Sequence, residues 1–328
     1  MLTHPFVVLL LPLIAGILLC NYTGFPFELQ RQKYAHSSDF TETHDQIRHR
    51  LIDRYRELGI SGTELGTLSA LTLGWRGDLD PDVKRSFRLS GASHILAVSG
   101  LHTGIIYMVI LSLLTGFGFW KPLYEDKARR IANSVIVMAL MIFYAFLTGL
   151  SPSVCRSVLM LCILQCAYMC YRRPNALNTI AAAAFLILAL RPTDLFSVSF
   201  QLSFAAVIAI VYLTPLFNSL IPVPHSGWYA KPVRYVRDLV TVSIAAQIGT
   251  IPITLYYFHQ TCNYFLLTNM VVIPLAFCIT LLALATLTIG WIPCVGTILA
   301  CPLKWLTWAL NHYTSFIESL PGAYSIIQ

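Results

Sequence analysis

The pattern of hydrophobic and polar positions changes character twice along the chain. A first apolar run, residues 5–20 of "MLTHPFVVLLLPLIAGILLC", gives way to a polar, irregular stretch over 21–40. In "TETHDQIRHRLIDRYRELGI" (41–60), Ile47, Leu51, Tyr55 and Leu58 then recur at helical spacing among arginines and acids, the pattern of an amphipathic helix. Such a helix either lies on a membrane interface or packs on the rest of the protein. Residues 63–75, "TELGTLSALTLGW", are apolar but too short to cross a bilayer core of about 30 Å, so a re-entrant or surface helix is expected. "RGDLDPDVKRSFRLS" (76–90) reads as a turn leading into a short basic helix near Pro81. Apolar runs follow at about 93–119, 131–149, 153–170, 176–190, 195–213, 239–258, 263–289 and 293–311. With the first run they predict an all-α polytopic membrane protein of about nine transmembrane helices. Residues 41–92 are expected to supply extracytoplasmic amphipathic and interfacial helices.

Composition agrees with this pattern. Charged residues make up 11% of the 328, against roughly 25% in soluble domains, and the mean hydropathy is +0.68. The net charge of +7 falls in the spanning part: residues 21–90 hold ten basic and ten acidic residues, 91–328 hold twelve against five. The loops "KPLYEDKARR" (121–130), "YRRPN" (171–175) and "HSGWYAKPVRYVRD" (225–238) are basic, and they alternate with turns near 149–152, 191–194 and 258–262 that are not. Basic loops mark the cytoplasmic side, which places the amino terminus in the cytoplasm and 21–92 outside. The first run lacks a basic n-region, so a retained span is expected rather than a cleaved signal. None of the nine cysteines forms a CxxC or Cys/His zinc pattern, and neither a metal nor a cofactor is expected.

One span is unusually polar. "GASHILAVSGLHTGI" (91–105) carries His94, His102, Ser93, Ser99 and three glycines. On a continuous helix Ser93, Ala97, Gly100 and Gly104 share a stripe, and Gly100 with Gly104 makes a GxxxG pair that admits a second helix. His94, Ser99 and His102 fall on the opposite side. Tight helix packing and a water-filled path lined by that polar face both account for the pattern. Catalysis is poorly supplied: Ser99 lies in "AVSGL" rather than G-x-S-x-G, the histidines are eight apart, and residues 127–328 contain only Asp194, Asp238 and Glu318 as acids. Further polar groups stand in spans. Arg156 either snorkels to the interface or presents a charge to a path, while Gln201 and Gln247 serve as interhelical glue or as lining. Asn269, ahead of Pro274, is positioned to satisfy backbone groups freed by the proline. A lining of cationic and neutral groups suits an anion, and the aromatic run "LYYFHQTCNYF" (255–265) offers stacking surfaces if that anion is a nucleic acid.

"SGASHILAVSGLHTGI" resembles the signature of the competence domain of ComEC-type DNA-uptake channels. The motifs "SPSVCRSVLM", "RPTDLFSVSFQLSFAAV" and "SIAAQIGTIPITLYYFHQTCNYFLLTNMVVIPLAF" follow in the same order, and the resemblance covers about residues 45–320. It implies an inner-membrane channel that passes single-stranded DNA into the cytoplasm during natural transformation. By motif match His94, Ser99, His102, Arg156, Gln201, Gln247 and Asn269 fall on the family's characteristic positions and are expected to line that path, and the basic cluster Lys84, Arg85 and Arg88 is expected to offer a surface that receives DNA. It also implies an extracytoplasmic ComEA-like receptor and, as the chain has no P-loop, a cytoplasmic DNA-handling protein or ATPase as partners. The resulting division is a first span (1–20), a linker (21–40), the 41–92 helices, the channel domain (93–320) and a tail (321–328). The linker is too short for the family's OB-like domain, and the tail lacks its metallo-β-lactamase-like nuclease with the HxHxDH motif, so no enzyme activity is expected. Two other readings stay open: a secondary transporter of a small anion built around a broken helix, and an intramembrane hydrolase using Ser99 with a histidine.

Overall fold

The computed structural model describes residues 5–22, 38–96, 98–115, 127–170, 175–223 and 227–326. These are helical almost throughout. In chain order they form α1 (Pro5–Tyr22), α2 (Ser38–Glu57), α3 (Gly62–Leu73), α4 (Pro81–Leu89), α5 (Ser93–Leu96), α6 (Gly100–Thr115), α7 (Lys127–Leu147), α8 (Pro152–Met169) and α9 (Ala176–Leu190). A 3₁₀ turn (Pro192–Phe196), α10 (Val198–Leu220) and α11 (Ala230–Phe258) follow. The chain then forms β1 (Gln260–Cys262), α12 (Phe265–Ile289), α13 (Pro293–Ser319) and β2 (Tyr324–Ile326), with β1 and β2 paired antiparallel. Each of the nine expected spans meets a helix. Five (α7, α8, α10, α11 and α12) are long and apolar enough to cross a membrane unaided, and α1, α6 and α9 carry shorter apolar stretches. The chain is an all-α polytopic membrane protein.

It divides into two compact units, Met1–Thr41 with Leu159–Tyr257, and Glu42–Val158 with Phe258–Gln328. In the first, α1 lies along α9. The alanine run 181–184 is buried and lets the helices approach, and the Phe6 N–H donates to Asn178 Oδ1 at 3.1 Å. Asn175 caps α9 by accepting from the Leu177 and Asn178 N–H groups. Ile17, Ile180, Leu188, Phe200 and Phe204 form the core between α1, α9 and α10.

The second unit is built around the α12–α13 pair. The amphipathic helix α2 packs on the protein: its apolar stripe, Ile52 and Tyr55, is fully buried together with residues of α3, α12 and α13. Helix α3 is buried continuously from Leu65 to Leu73, as expected of a helix that is apolar on all sides. Its ends are set by Ser61 and by Gly74 in the left-handed region, beyond which the Trp75 N–H closes on the Ser69 carbonyl at 3.1 Å. At twelve residues, about 18 Å, α3 is too short to cross a bilayer core, and it is held against α12 and α13. Its Thr67 hydroxyl lies 3.0 Å from Asn311 Oδ1.

The 42–92 segment makes contacts at both ends of α12. Arg54 Nη2 donates to the Gly290 carbonyl at 2.6 Å and its guanidinium stands over Trp291, beyond the carboxyl end of α12. Cys262 Sγ, ahead of the amino end of α12, donates to the Leu89 carbonyl at 2.6 Å. Burial pushes that thiol's pKa up to about 11, so it remains a donor at neutral pH. Since α12 is about 37 Å long by its residue count, the segment runs along the flank of the hairpin from one end to the other.

Candidate functional site

The polar span is broken where a continuous helix was expected. Helix α5 is a single turn, α6 begins at Gly100, and Val98 and Ser99 between them are not helical. The local chemistry accounts for this. Gly91, at φ +84°, turns the chain out of α4, and a side chain there would press on Cys262. Ser99 then acts as an N-cap for α6. Its N–H donates to His102 Nδ1 at 3.3 Å, and its hydroxyl lies 3.1 Å from the same nitrogen. The side chain at the third helical position thus reaches back to the cap residue, as in a capping box, with imidazole in the place of Glu. With Nδ1 accepting, the proton sits on Nε2. That nitrogen is buried and has no hydrogen-bond partner, and His102 as a whole is 0% exposed. The Ser99–His102 contact is accounted for as a helix cap, since the imidazole nitrogen that would act as base already accepts a backbone N–H.

The expected stripe of small residues does not survive the break. Ser93 is exposed on α5, and Ala97 lies outside the described residues. Gly100 does face a neighbour, Ser157 Oγ of α8, which an added Cβ would approach to 3.2 Å; at Gly104 an added Cβ would meet nothing within 4 Å. The GxxxG pair therefore supplies one close contact. The small-residue crossing lies in the other unit, where Gly249 of α11 sits against Ala205 and Ala209 of α10 so closely that a Cβ would reach 2.7 Å from the Ala205 carbonyl oxygen. His94 is exposed, and its Nδ1 lies 3.1 Å from the Gly91 carbonyl.

The remaining expected lining residues divide between the units. Arg156, next to Ser157 in α8, is buried at 6% exposure and does not snorkel. Asn269 is on α12, which packs against α6; its Oδ1 is buried without a partner. These two share a unit with His94, Ser99 and His102. Gln201 and Gln247 belong to the other. Gln201 stands in the first turn of α10, where its Nε2 donates to the Leu195 carbonyl at 3.0 Å and secures the 3₁₀ turn; Gln247 is half-buried in α11. Lys84, Arg85 and Arg88 are exposed on α4, and Arg85 pairs with Glu318 at 3.1 Å. Ser86, between them, hydrogen-bonds Glu318 and so fixes α4 to the end of α13.

Sequence reading missed Arg130. It was assigned to the basic loop 121–130, whose first six residues lie outside the described ones, yet it stands in the first turn of α7 at 1% exposure. The helical repeat Arg130, Asn133, Ser134, Val137, Met141, Tyr144 identifies the buried face of α7, and would have revealed Arg130 had the helix been started at Lys127. Arg48 was likewise read as part of a polar face. It is buried, with Nε donating to the Leu147 carbonyl, Nη1 paired with Asp45 at 3.2 Å, and the guanidinium over Trp75. Gly149, in the left-handed region at φ +73°, leaves room for it. Arg48, Arg130 and Arg156 are the buried charged side chains among the described residues, and no Asp or Glu of those residues is buried to the same degree.

Comparison with known proteins places this arrangement in context. ComE operon protein 3 of Bacillus subtilis is 29% identical over 215 residues, which cover 65% of this chain and 25% of that protein. Competence protein ComA of Neisseria gonorrhoeae is 29% identical over 148 residues, 45% of this chain and 21% of that one. Recombination protein 2 of Haemophilus influenzae is 23% identical over 218 residues, 64% and 26%. The chain thus spans about a quarter of the length of these curated relatives. No solved structure matches it. The family model described as Competence protein matches residues 71–328, from the end of α3 through the broken polar span to the last strand, and the chain belongs to that family.

Proposed function

We propose that this chain forms the membrane path by which single-stranded DNA enters the cytoplasm during natural transformation. Family membership, and relatives named for competence, support a role in competence DNA uptake. The channel reading goes further and is carried by one observation: the charges buried among the described residues are all arginines, two of them, Arg130 and Arg156, within long apolar helices. Charge inside a membrane domain is costly and marks the route of a ligand of opposite sign, and a polyanion is such a ligand. The exposed Lys84, Arg85 and Arg88 stand at the α12 end that carries the non-basic 258–262 turn, which positive-inside reasoning puts outside the inner membrane. DNA meets the protein there. A receptor delivers it, and a cytoplasmic partner pulls it.

The test is uptake of labelled DNA in cells whose own gene is replaced by variants, with membrane insertion checked for each. Arg130→Ala and Arg156→Ala are each expected to lower uptake by roughly tenfold or more, the worth of one charge-assisted contact of about 1.5–3 kcal/mol. Wild-type uptake by both inserted variants sinks the channel reading. Uptake of a small labelled anion, unaffected by DNA and lost in the same variants, would instead identify a transporter.

A further inference from the structure

The first unit contains a second cationic feature, remote in sequence from the polar span. A cavity of about 490 Å³ opens between the end of α10 and the start of α11, lined by Asn218, Ser219, Pro222, Val223, Arg234 and Arg237. It is organised by a chain of hydrogen bonds. The buried Thr241 hydroxyl donates to Asn218 Oδ1 at 2.9 Å, and Asn218 Nδ2 donates to Asp238 Oδ1 at 3.2 Å. The same carboxylate oxygen accepts from Arg237 Nε at 3.0 Å and Nη2 at 2.7 Å. Both helices are tied together by this chain, and Arg237 is held with one side of its guanidinium unused. Arg234, one turn earlier on α11, is exposed. Arg234 and Arg237 in the lining outnumber Asp238, so the cavity is cationic.

We propose that this cavity binds the phosphodiester headgroup of an anionic phospholipid. The surroundings choose lipid over other phosphates. Leu216, Leu220 and Ile221 of the adjoining α10 end are exposed large apolar side chains, which acyl chains would cover. Trp228, at 90% exposure, and Tyr235 flank the basic turn of α11, the pairing of aromatic and basic residues found at the headgroup layer. A basic pocket between helices at that depth accepts the headgroups of anionic lipids. The argument uses none of the residues on which the channel reading rests, so either can fail without the other.

The test uses the purified full chain in detergent, stripped of lipid and offered phosphatidylglycerol or phosphatidylcholine, with retained lipid counted by native mass spectrometry. Phosphatidylglycerol is expected to be retained and to raise the melting temperature, and phosphatidylcholine to do neither. Arg234→Gln should lower phosphatidylglycerol occupancy about fivefold, the contribution of roughly one arginine at a membrane surface, with its melting temperature in phosphatidylcholine unchanged. The wild-type comparison of the two lipids decides the matter even if the variant fails to fold. Equal retention of both lipids overturns the proposal. So does full displacement of phosphatidylglycerol by millimolar inorganic phosphate, or by oligothymidylate whose binding is itself lost in Arg234→Gln.

Discussion

Gly66→Ala is expected to lower the apparent melting temperature of the purified protein by on the order of 5–10 °C, corresponding to about 3 kcal/mol. Gly66 is inside α3, and in an exposed helix the same change would stabilise by up to about 1 kcal/mol. Here a Cβ would run into the backbone carbonyl of Asp78 and crowd Leu79. Neither neighbour can move away cheaply. Asp80 caps α4 by accepting from the Asp82 N–H at 2.8 Å, Leu79 closes a turn on Arg76, and Asp78 pairs with Arg56 at 3.4 Å. On its other sides α3 is enclosed by α12 and α13, so a shift of the helix would disturb the Thr67–Asn311 contact. Gly104→Ala is the control. With open space at that position and a helical backbone, it should leave the melting temperature unchanged or raise it. Equal losses from both substitutions would refute the assignment of Gly66 to a backbone crossing.

That contrast also shows what the residues alone could reveal. Spacing picks out Gly100 and Gly104 as a motif because four residues make about one helical turn, and the wider stripe back to Ser93 needs the helix to continue through Val98 and Ser99. It fails because Ser99 and His102 make a better start to a helix than a middle of one, and nothing in hydropathy reports that. Gly66 attracts no motif, since its partner is a carbonyl twelve residues away in a turn. The elements themselves were legible: of the periodic positions in α2, Tyr55 is fully buried and Leu51 and Leu58 pack partly buried against the same core, and the apolar run at 63–75 forms a buried helix. Which elements bury α2 was not, because amphipathicity tells which face is buried and is silent about which partner buries it.

The candidate site divides along the same line. The residue types of His102 and Arg156 could be read directly, whereas the role of each depends on neighbours brought from distant sequence. Arg130 was hidden because a basic residue at a span's edge reads as loop, and only the repeat Arg130, Ser134, Val137, Met141 moves it inside. Arg48 was hidden for the converse reason. Beyond Asp45 on its own helix, its partners from distant sequence, the carbonyl of Leu147 and the ring of Trp75, are a backbone atom and an aromatic face, which no charge pattern encodes.

His102 permits the sharpest separation of packing from function. His102→Asn should retain the fold and lose uptake by roughly ten- to a hundredfold, the equivalent of one hydrogen bond to a charged partner. The amide oxygen of Asn can take the position of Nδ1 and accept the Ser99 N–H, so the cap of α6 is kept. What disappears is Nε2–H, the buried donor without a partner. The Asn Nδ2 group brings its own buried donor, set back from the Nε2 position, so the cost of an unsatisfied donor, about 1–3 kcal/mol, is carried in both proteins, and the smaller volume of Asn adds little in a closed site. The melting temperature is therefore expected to stay close to that of the wild type. His102→Gln places its amide near Nε2 and gives up the cap, which costs about 1 kcal/mol; it should melt lower and retain more uptake than His102→Asn. The opposite order, with uptake following stability across the two variants, would make His102 a packing residue. Wild-type uptake by His102→Asn would remove it from the path altogether. An anion passing the site would supply the acceptor that this buried donor lacks, at the start of a helix that packs on α12.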